Sequence, residues 1–397
     1  MSKKSFPHIM FYCQILNRVF LCLIFAIFFA KNANAQQFNN WYFPFFSGIT
    51  FNTTPPSALV DGQIFQNISC AVMSDKSGNL LFYTDGVRVW NRNHQIMPNG
   101  NGLFGDFSQT NSVLIIPFIN DNSKYYLFTA DGVIVPPYGI RGYCYSIVDM
   151  NADNGNGNII VKNQLLYTPS AEKFCATPHA NGTDIWLITK DLGNKFYTFK
   201  ITCSGIVPLP VVSQVGNDIS INPIFSLVGD IKASPDGKVI GMTNFQSNYF
   251  QLFKFDNATG LLSQPIKINS IRAPYGVEFS PDNSKLYIGS TKDSIPLSST
   301  GIISQFNLSI YDSNAITNSS IIIGEKISNS CFGLQLGPDK KIYHIGDNVG
   351  YIDVINNPNL FGLNANFIPN AIYLNGKTAT RRLPYAPTFL FINQNVQ

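Results

Sequence analysis

Few residues in this chain have types and spacing that could do chemistry, and the clearest set would hold a metal. Asp149, Asn151 and Asp153 present side-chain oxygens at alternate positions, ahead of Gly155 and Gly157. Calcium takes such ligands, but an EF-hand loop would need glycine where Asn154 stands and a terminal glutamate that is missing. The competing reading is an ordinary Asn-Gly turn, because NADNGNGN at 151–158 concentrates residues that favour bends. His94, His179 and His344 fall in separate stretches without HxH or HExxH spacing, and read as loop or turn residues. Asp230, Glu278 and Asp353 stand near strand starts; carboxylates for glycoside chemistry need only meet in space, so nothing in the sequence selects them. A nucleophile elbow, a Walker loop and a dinucleotide fingerprint are absent, and no catalytic residue is assigned. Beyond residue 35 the cysteines are Cys70, Cys144, Cys175, Cys203 and Cys331, with no CxxC spacing, which argues against a zinc site. Cys70, Cys175 and Cys331 each precede a repeated turn and read as small buried hydrophobes, while Cys175 with Cys203 remains a candidate bridge.

The elements that must position these residues follow from a repeat. Residues 229–255, GDIKASPDGKVIGMTNFQSNYFQLFKF, read as a short strand, a Ser-Pro-Asp-Gly turn, and strands at 238–243 and 249–255. The phrase returns as SDKSGNLLFYT, NDNSKYYLFTA, ANGTDIWLITK, SPDNSKLYIGS and GPDKKIYHIGD. Its turn positions are Asp75, Gly78, Asp121, Gly182, Asp236, Gly237, Asp282 and Asp339. The five aspartates with Asn39 and Asn181 give seven anchors spaced 36 to 60 residues apart. A polar reversal followed by alternating aromatic and β-branched residues at such intervals predicts an all-β repeat fold. The expectation is one seven-bladed β-propeller of four-stranded antiparallel blades, or six blades if Asn39 is a coincidence. The strand candidate at 41–43 lacks a front half and Tyr385–Phe391 lacks a back half, so the two ends are expected to close one blade. Residues 91–109 and 309–320 read as loops, and no helix of normal length is expected.

Composition excludes some functions. Charged residues make up 13%, against roughly 25% in a typical soluble domain. Lys3, Lys4, Arg18 and Lys31 account for the whole excess of 27 basic over 23 acidic residues, so the rest of the chain is neutral and offers no footprint for nucleic acid. The basic start, the apolar run at 19–30 and Ala33-Asn34-Ala35 read as a secretory signal over 1–35, leaving 36–397 as the propeller. Twelve apolar residues are short for a membrane span, and no later segment is long enough to cross. Tyr and Phe total 50, and the run at 41–46 could put rings on a binding rim.

CAVMSDKSGNLLFYTDGVRVWNRNHQIMPNG at 70–100 resembles the opening blade of large secreted Bacteroidetes proteins of the gliding-motility-associated, type B C-terminal sorting-domain group. The similarity continues through YSIVDMN, HANGTDIWLIT, CFGLQLGPDKKIY, YIDVINNPN and RRLPYAP. The resemblance implies a WD40-like or quinoprotein-like propeller exported by a Sec signal, with no catalytic residues to carry over. Such proteins commonly continue into Ig-like or PKD-like modules and a sorting domain, whereas this sequence ends at Gln397, which leaves periplasmic, cell-surface and secreted locations open. The expected role is a noncatalytic binding scaffold for an envelope protein or glycan, needing no cofactor beyond the calcium candidate. The alternatives are a structural surface component and a hydrolase or lyase acting on polysaccharide or peptide.

Overall fold

Six of the seven anchors each close a turn with their own acid or amide, whereas Asn39 donates its amide to Asn52 at 2.9 Å. In a computed structural model describing residues 35–65, 68–106, 110–134, 136–218, 227–269, 271–292, 300–326 and 332–391, the anchor side chain accepts the backbone N–H two residues on. This holds at Asp75, Asp121, Asn181, Asp236, Asp282 and Asp339, at 2.8 to 3.3 Å. Asn, Asp and Ser favour turns because their side chains supply this bond. The residue after the anchor is left-handed at Gly182, Gly237, Asn283 and Lys340.

Seven antiparallel sheets follow in chain order, and in all but the fourth every strand pairs its neighbours in sequence. The first holds Asn40–Phe43, Ser47–Thr50 and Ser57–Leu59; the second Ala71–Ser74, Leu80–Thr84, Arg88–Asn91 and Ile96–Asn101. The third runs from Val113–Pro117 through Lys124–Ala130 and Tyr143–Asp149 to Asn158–Tyr167. In the fourth, Phe174–Pro178, Ile185–Lys190 and Lys195–Thr202 are followed by two short strands, Gly205–Ile206 and Val211–Gln214, that share one edge. The fifth, sixth and seventh begin with Ile231–Ala233, Val277–Phe279 and Gly333–Leu336, and each has four strands. The fold is therefore the expected all-β, seven-bladed propeller with mostly four-stranded blades.

Burial explains the pattern. Ile185–Lys190 and Lys285–Thr291 are buried along their whole length because neighbouring blades cover both faces, whereas the outer strand Leu261–Ile268 is largely exposed. The meander gives the molecule two faces. Turns between first and second strands, and between third and fourth, lie on one; second-to-third turns and blade-to-blade crossings lie on the other.

Three local expectations change. The expected loop at 91–109 contains the outer strand Ile96–Asn101, and 309–320 contains the short helix Ser313–Asn318, capped by Asp312 accepting from Ala315 N. Tyr385–Phe391 closes the ring by packing rather than as a laddered strand: residues 382–388 are buried, and Thr388–Leu390 form a 3-10 turn. Two prolines, Pro384 and Pro387, remove ladder donors from this stretch. Leu383 joins the apolar cluster holding Trp41 and Phe43, Tyr385 N donates to Cys70 O at 3.2 Å, and Phe391 meets the Phe38 ring at 5.7 Å.

Cys70 and Cys175 are buried as expected, and Cys175 and the exposed Cys203 are both free thiols, so the candidate bridge is not formed. Cys331 and the 1–34 portion of the signal lie outside the described residues. Among the described residues no helix is long and apolar enough to cross a membrane.

Candidate functional site

The centre of the ring is the first place to look for a site, and among the described residues the buried charges there pair with one another. Residues just ahead of the innermost strands converge at its crossover end. Asn111 donates to Asp230 at 3.0 Å, Arg382 donates to Asn111 at 2.7 Å, and the Arg382 guanidinium lies 2.8 Å from the other Asp230 oxygen. One layer deeper, Lys232 Nζ contacts Glu278 at 2.6 Å and also reaches Leu334 O and Gln335. Tyr385 lies between these layers, its ring 5.7 Å from Arg382 and 5.8 Å from Lys232. Burial pushes the Glu172 carboxyl up and the Lys173 ammonium down, while each charge partly offsets the shift of the other. Lys173 Nζ donates to Thr243 O at 3.0 Å. Such buried charges need partners, and here they have them.

The carboxylates and histidines singled out from sequence are likewise committed. Asp230 and Glu278 hold the cations just described. Asp353 accepts from Lys326 at 2.9 Å and meets buried His344 at 2.8 Å. His94 sits 3.3 Å from Asp61 and 3.0 Å from the Tyr83 hydroxyl, and His179 stacks on Trp186. Sequence spacing did not show these pairings, because each joins different turns or strands.

The described surface carries a cleft of about 520 Å³ on the turn-bearing face, between the second and third blades. Its walls are four turns. Asp75, Lys76 and Ser77 come from the first turn of the second blade and Arg92 from its later turn; Asn122 and Ser123, then Asn151, Asn154, Gly155 and Asn156, come from the matching turns of the third. Gln37 completes the rim, and Leu81, Tyr125 and Met150 form a buried floor.

Local bonds fix this geometry. Asp75 accepts Ser77 N, Asn79 N and the Asn79 amide at 2.8 to 3.0 Å. Burial raises its pKa, but those hydrogen bonds outweigh burial and hold the carboxyl below its usual range. Asp121 is held down to about 2 by Ser123 and Lys124, which locks the Asn122–Ser123 wall. Arg92 donates to Gly155 O and Asn93 to Asn156, both at 3.0 Å, so the two blades are tied across the cleft. Asn122, Asn151 and Asn154 stay exposed.

Of the calcium candidates, Asn151 lines this cleft. Asp149 ends the strand Tyr143–Asp149 and accepts Asn151 N at 2.9 Å, and Asp153 opens a short 3-10 turn. Among the described residues no group of three or more His, Cys, Asp or Glu side chains is placed to hold a metal ion. Asp75, Gly78, Asp121, Gly182, Asp236, Gly237, Asp282 and Asp339 all occupy repeated turns, and the Asp75 and Asp121 turns carry cleft walls. Sequence reading left out Gln37, Lys76, Arg92, Asn122 and Asn156. Superposing the second and third repeats and asking which turn tips are polar would have found most of them.

No family model matches the chain, and no curated protein matches it. Solved structures do. A functionally unknown protein from Desulfotomaculum acetoxidans is 14% identical with a TM-score of 0.47, over 86% of this chain and 96% of its own. Hydrazine synthase from Kuenenia stuttgartiensis is 11% identical with a TM-score of 0.45, over 80% and 86%. At such identities neither lends a residue role to this chain.

Proposed function

We propose that the protein is a noncatalytic glycan-binding component of a bacterial envelope or extracellular surface, holding its ligand in the cleft between the second and third blades. The observation that carries this reading is the lining. Exposed amides of Asn122, Asn151 and Asn154, with Ser77, Lys76 and Arg92, offer donors and acceptors above the apolar floor of Leu81, Tyr125 and Met150. Sugar hydroxyls both donate and accept, and an amide answers both roles. The volume suits a small oligosaccharide.

General acid–base chemistry asks for a titratable group free to exchange a proton. The lining holds no His, Cys or Glu, and its one carboxylate, Asp75, is spent on its own turn. This favours binding over a hydrolase. The signal-like first 35 residues and the resemblance to surface propellers support an exported setting.

The test is a glycan binding screen on residues 36–397, run with calcium and with a chelator. Saturable binding is expected, with Asn151→Ala and Asn122→Ala each weakening it about fivefold, as for one lost hydrogen bond of ~1 kcal/mol. A blank screen, or accumulation of cleaved product, would overturn the reading. Loss on chelation would identify Asp149, Asn151 and Asp153 as calcium ligands; equal affinity would make that loop a turn.

A further inference from the structure

The opposite face carries a feature that the cleft does not use. Phe45 and Phe46 lie in the turn joining Asn40–Phe43 to Ser47–Thr50. The far ends of these strands, at Asn40 and Asn52, donate to Gly78 O on the cleft-side turn at 2.7 and 2.9 Å, so the Phe turn lies on the other face. Both residues have left-handed backbones, φ 62° and 58°. Bulky side chains are rare there, and such a residue strains the backbone. Ser47 Oγ donating to Pro44 O and Phe46 N donating to Ile64 O hold the turn against that strain. The result pushes phenyl rings outward. Phe46 is exposed and Phe65, on the crossing to the second blade, is 58% exposed.

The rings form a notch rather than a plane. Phe65 meets Phe46 at 5.6 Å and 33°, and Phe45 at 6.3 Å and 85°. Lys377 Nζ lies 5.7 Å from the Phe46 ring, on the crossing that leaves the seventh blade. Beyond Lys377, the exposed rings of Tyr351 and Tyr373 pair at 5.0 Å on the rim of that blade. A β-carbon placed on Gly376 would lie 4.0 Å from the Tyr373 hydroxyl, so the lysine and the tyrosine pair adjoin. Five rings thus run across two blades with one ammonium in their midst.

Lys377 makes no ion pair among the described residues, whereas Asp61, on the same crossing as Phe65, is held by Tyr42 at 2.9 Å and by His94. A lone cation amid aromatic rings favours an anionic group beside an apolar one. The angle between the rings suits a side chain inserted edge-on better than a sugar stacked flat, and rings contributed by two neighbouring blades suit an extended chain. We propose that this stripe docks an acidic protein segment in extended conformation, seating an aromatic or aliphatic side chain among Phe45, Phe46 and Phe65 and a carboxylate on Lys377.

The test is fluorescence anisotropy with a labelled peptide alternating Glu with Phe and Leu, beside the same peptide with Lys for Glu, and an oligogalacturonate. The acidic peptide should bind selectively. Phe65→Ala should weaken it about tenfold or more, as for a central aromatic anchor, and Lys377→Glu should reverse the preference toward the lysine peptide. Both side chains are at the surface, so both variants should melt like the parent. Asn151→Ala should leave peptide binding unchanged, which separates this site from the cleft. Equal binding of both peptides, tighter binding of the oligogalacturonate, or indifference to Phe65→Ala and Lys377→Glu would each overturn the proposal.

Discussion

Lys190 shows how a single side chain can report on the interior. It ends the strand Ile185–Lys190 fully buried, with its ammonium on Gly193 O and 5.5 Å from the Phe196 ring. Burial lowers its pKa from 10.5 to about 8, although Asp191 and Asp218 pull the other way. A depressed folded value means that the unfolded chain holds a proton the folded chain has released. Stability from this group is therefore complete above 10.5 and lost as pH falls through about 8. Lys190→Met removes the titration while keeping much of the volume. Between pH 8 and 10.5 the parent's urea midpoint should climb relative to the variant's; parallel curves would show that Lys190 titrates as a surface lysine does.

At the scale of elements the repeated turn is the unit of construction, and Gly237 is its least replaceable position. Its φ is 68°, and a β-carbon there would run into Thr177 Oγ1 of the preceding blade. Gly237→Ala should cost ~2 kcal/mol or more, from left-handed strain plus the clash. Adding Thr177→Ala should restore only the clash part; full recovery, or none, in thermal melts would show one cause acting alone. These turns were legible in the sequence because an Asx bond and a left-handed successor both leave local marks, as in Ser234-Pro235-Asp236-Gly237. Ile96–Asn101 was not legible, since Pro98, Asn99 and Gly100 read as loop while the outer-edge position tolerates them. The cleft was hidden for a different reason. Arg92 and Gly155 are 63 residues apart, and only the packing of adjacent blades makes them neighbours.

The whole ring depends on residues 382–391. They cover the first, three-stranded blade, bury Tyr385 against Arg382 and Lys232, and bring Arg382 to Asp230. Truncation after Arg381 would strand a buried carboxylate, a loss of about 3–5 kcal/mol from the broken pair alone, and would uncover Trp41 and Phe43. The truncated chain should melt without a single sharp transition and bind an apolar dye; melting like the parent would show that the ring closes without this segment. The same arrangement sets a clock on synthesis. Arg382 leaves the ribosome 271 residues after the Asn111 it must meet. At roughly 5–20 residues per second that is a wait on the order of 14–54 s, during which early blades exist without their inner wall. A nascent chain held back in this way stays threadable until its last blade is made, a delay that suits the export proposed above.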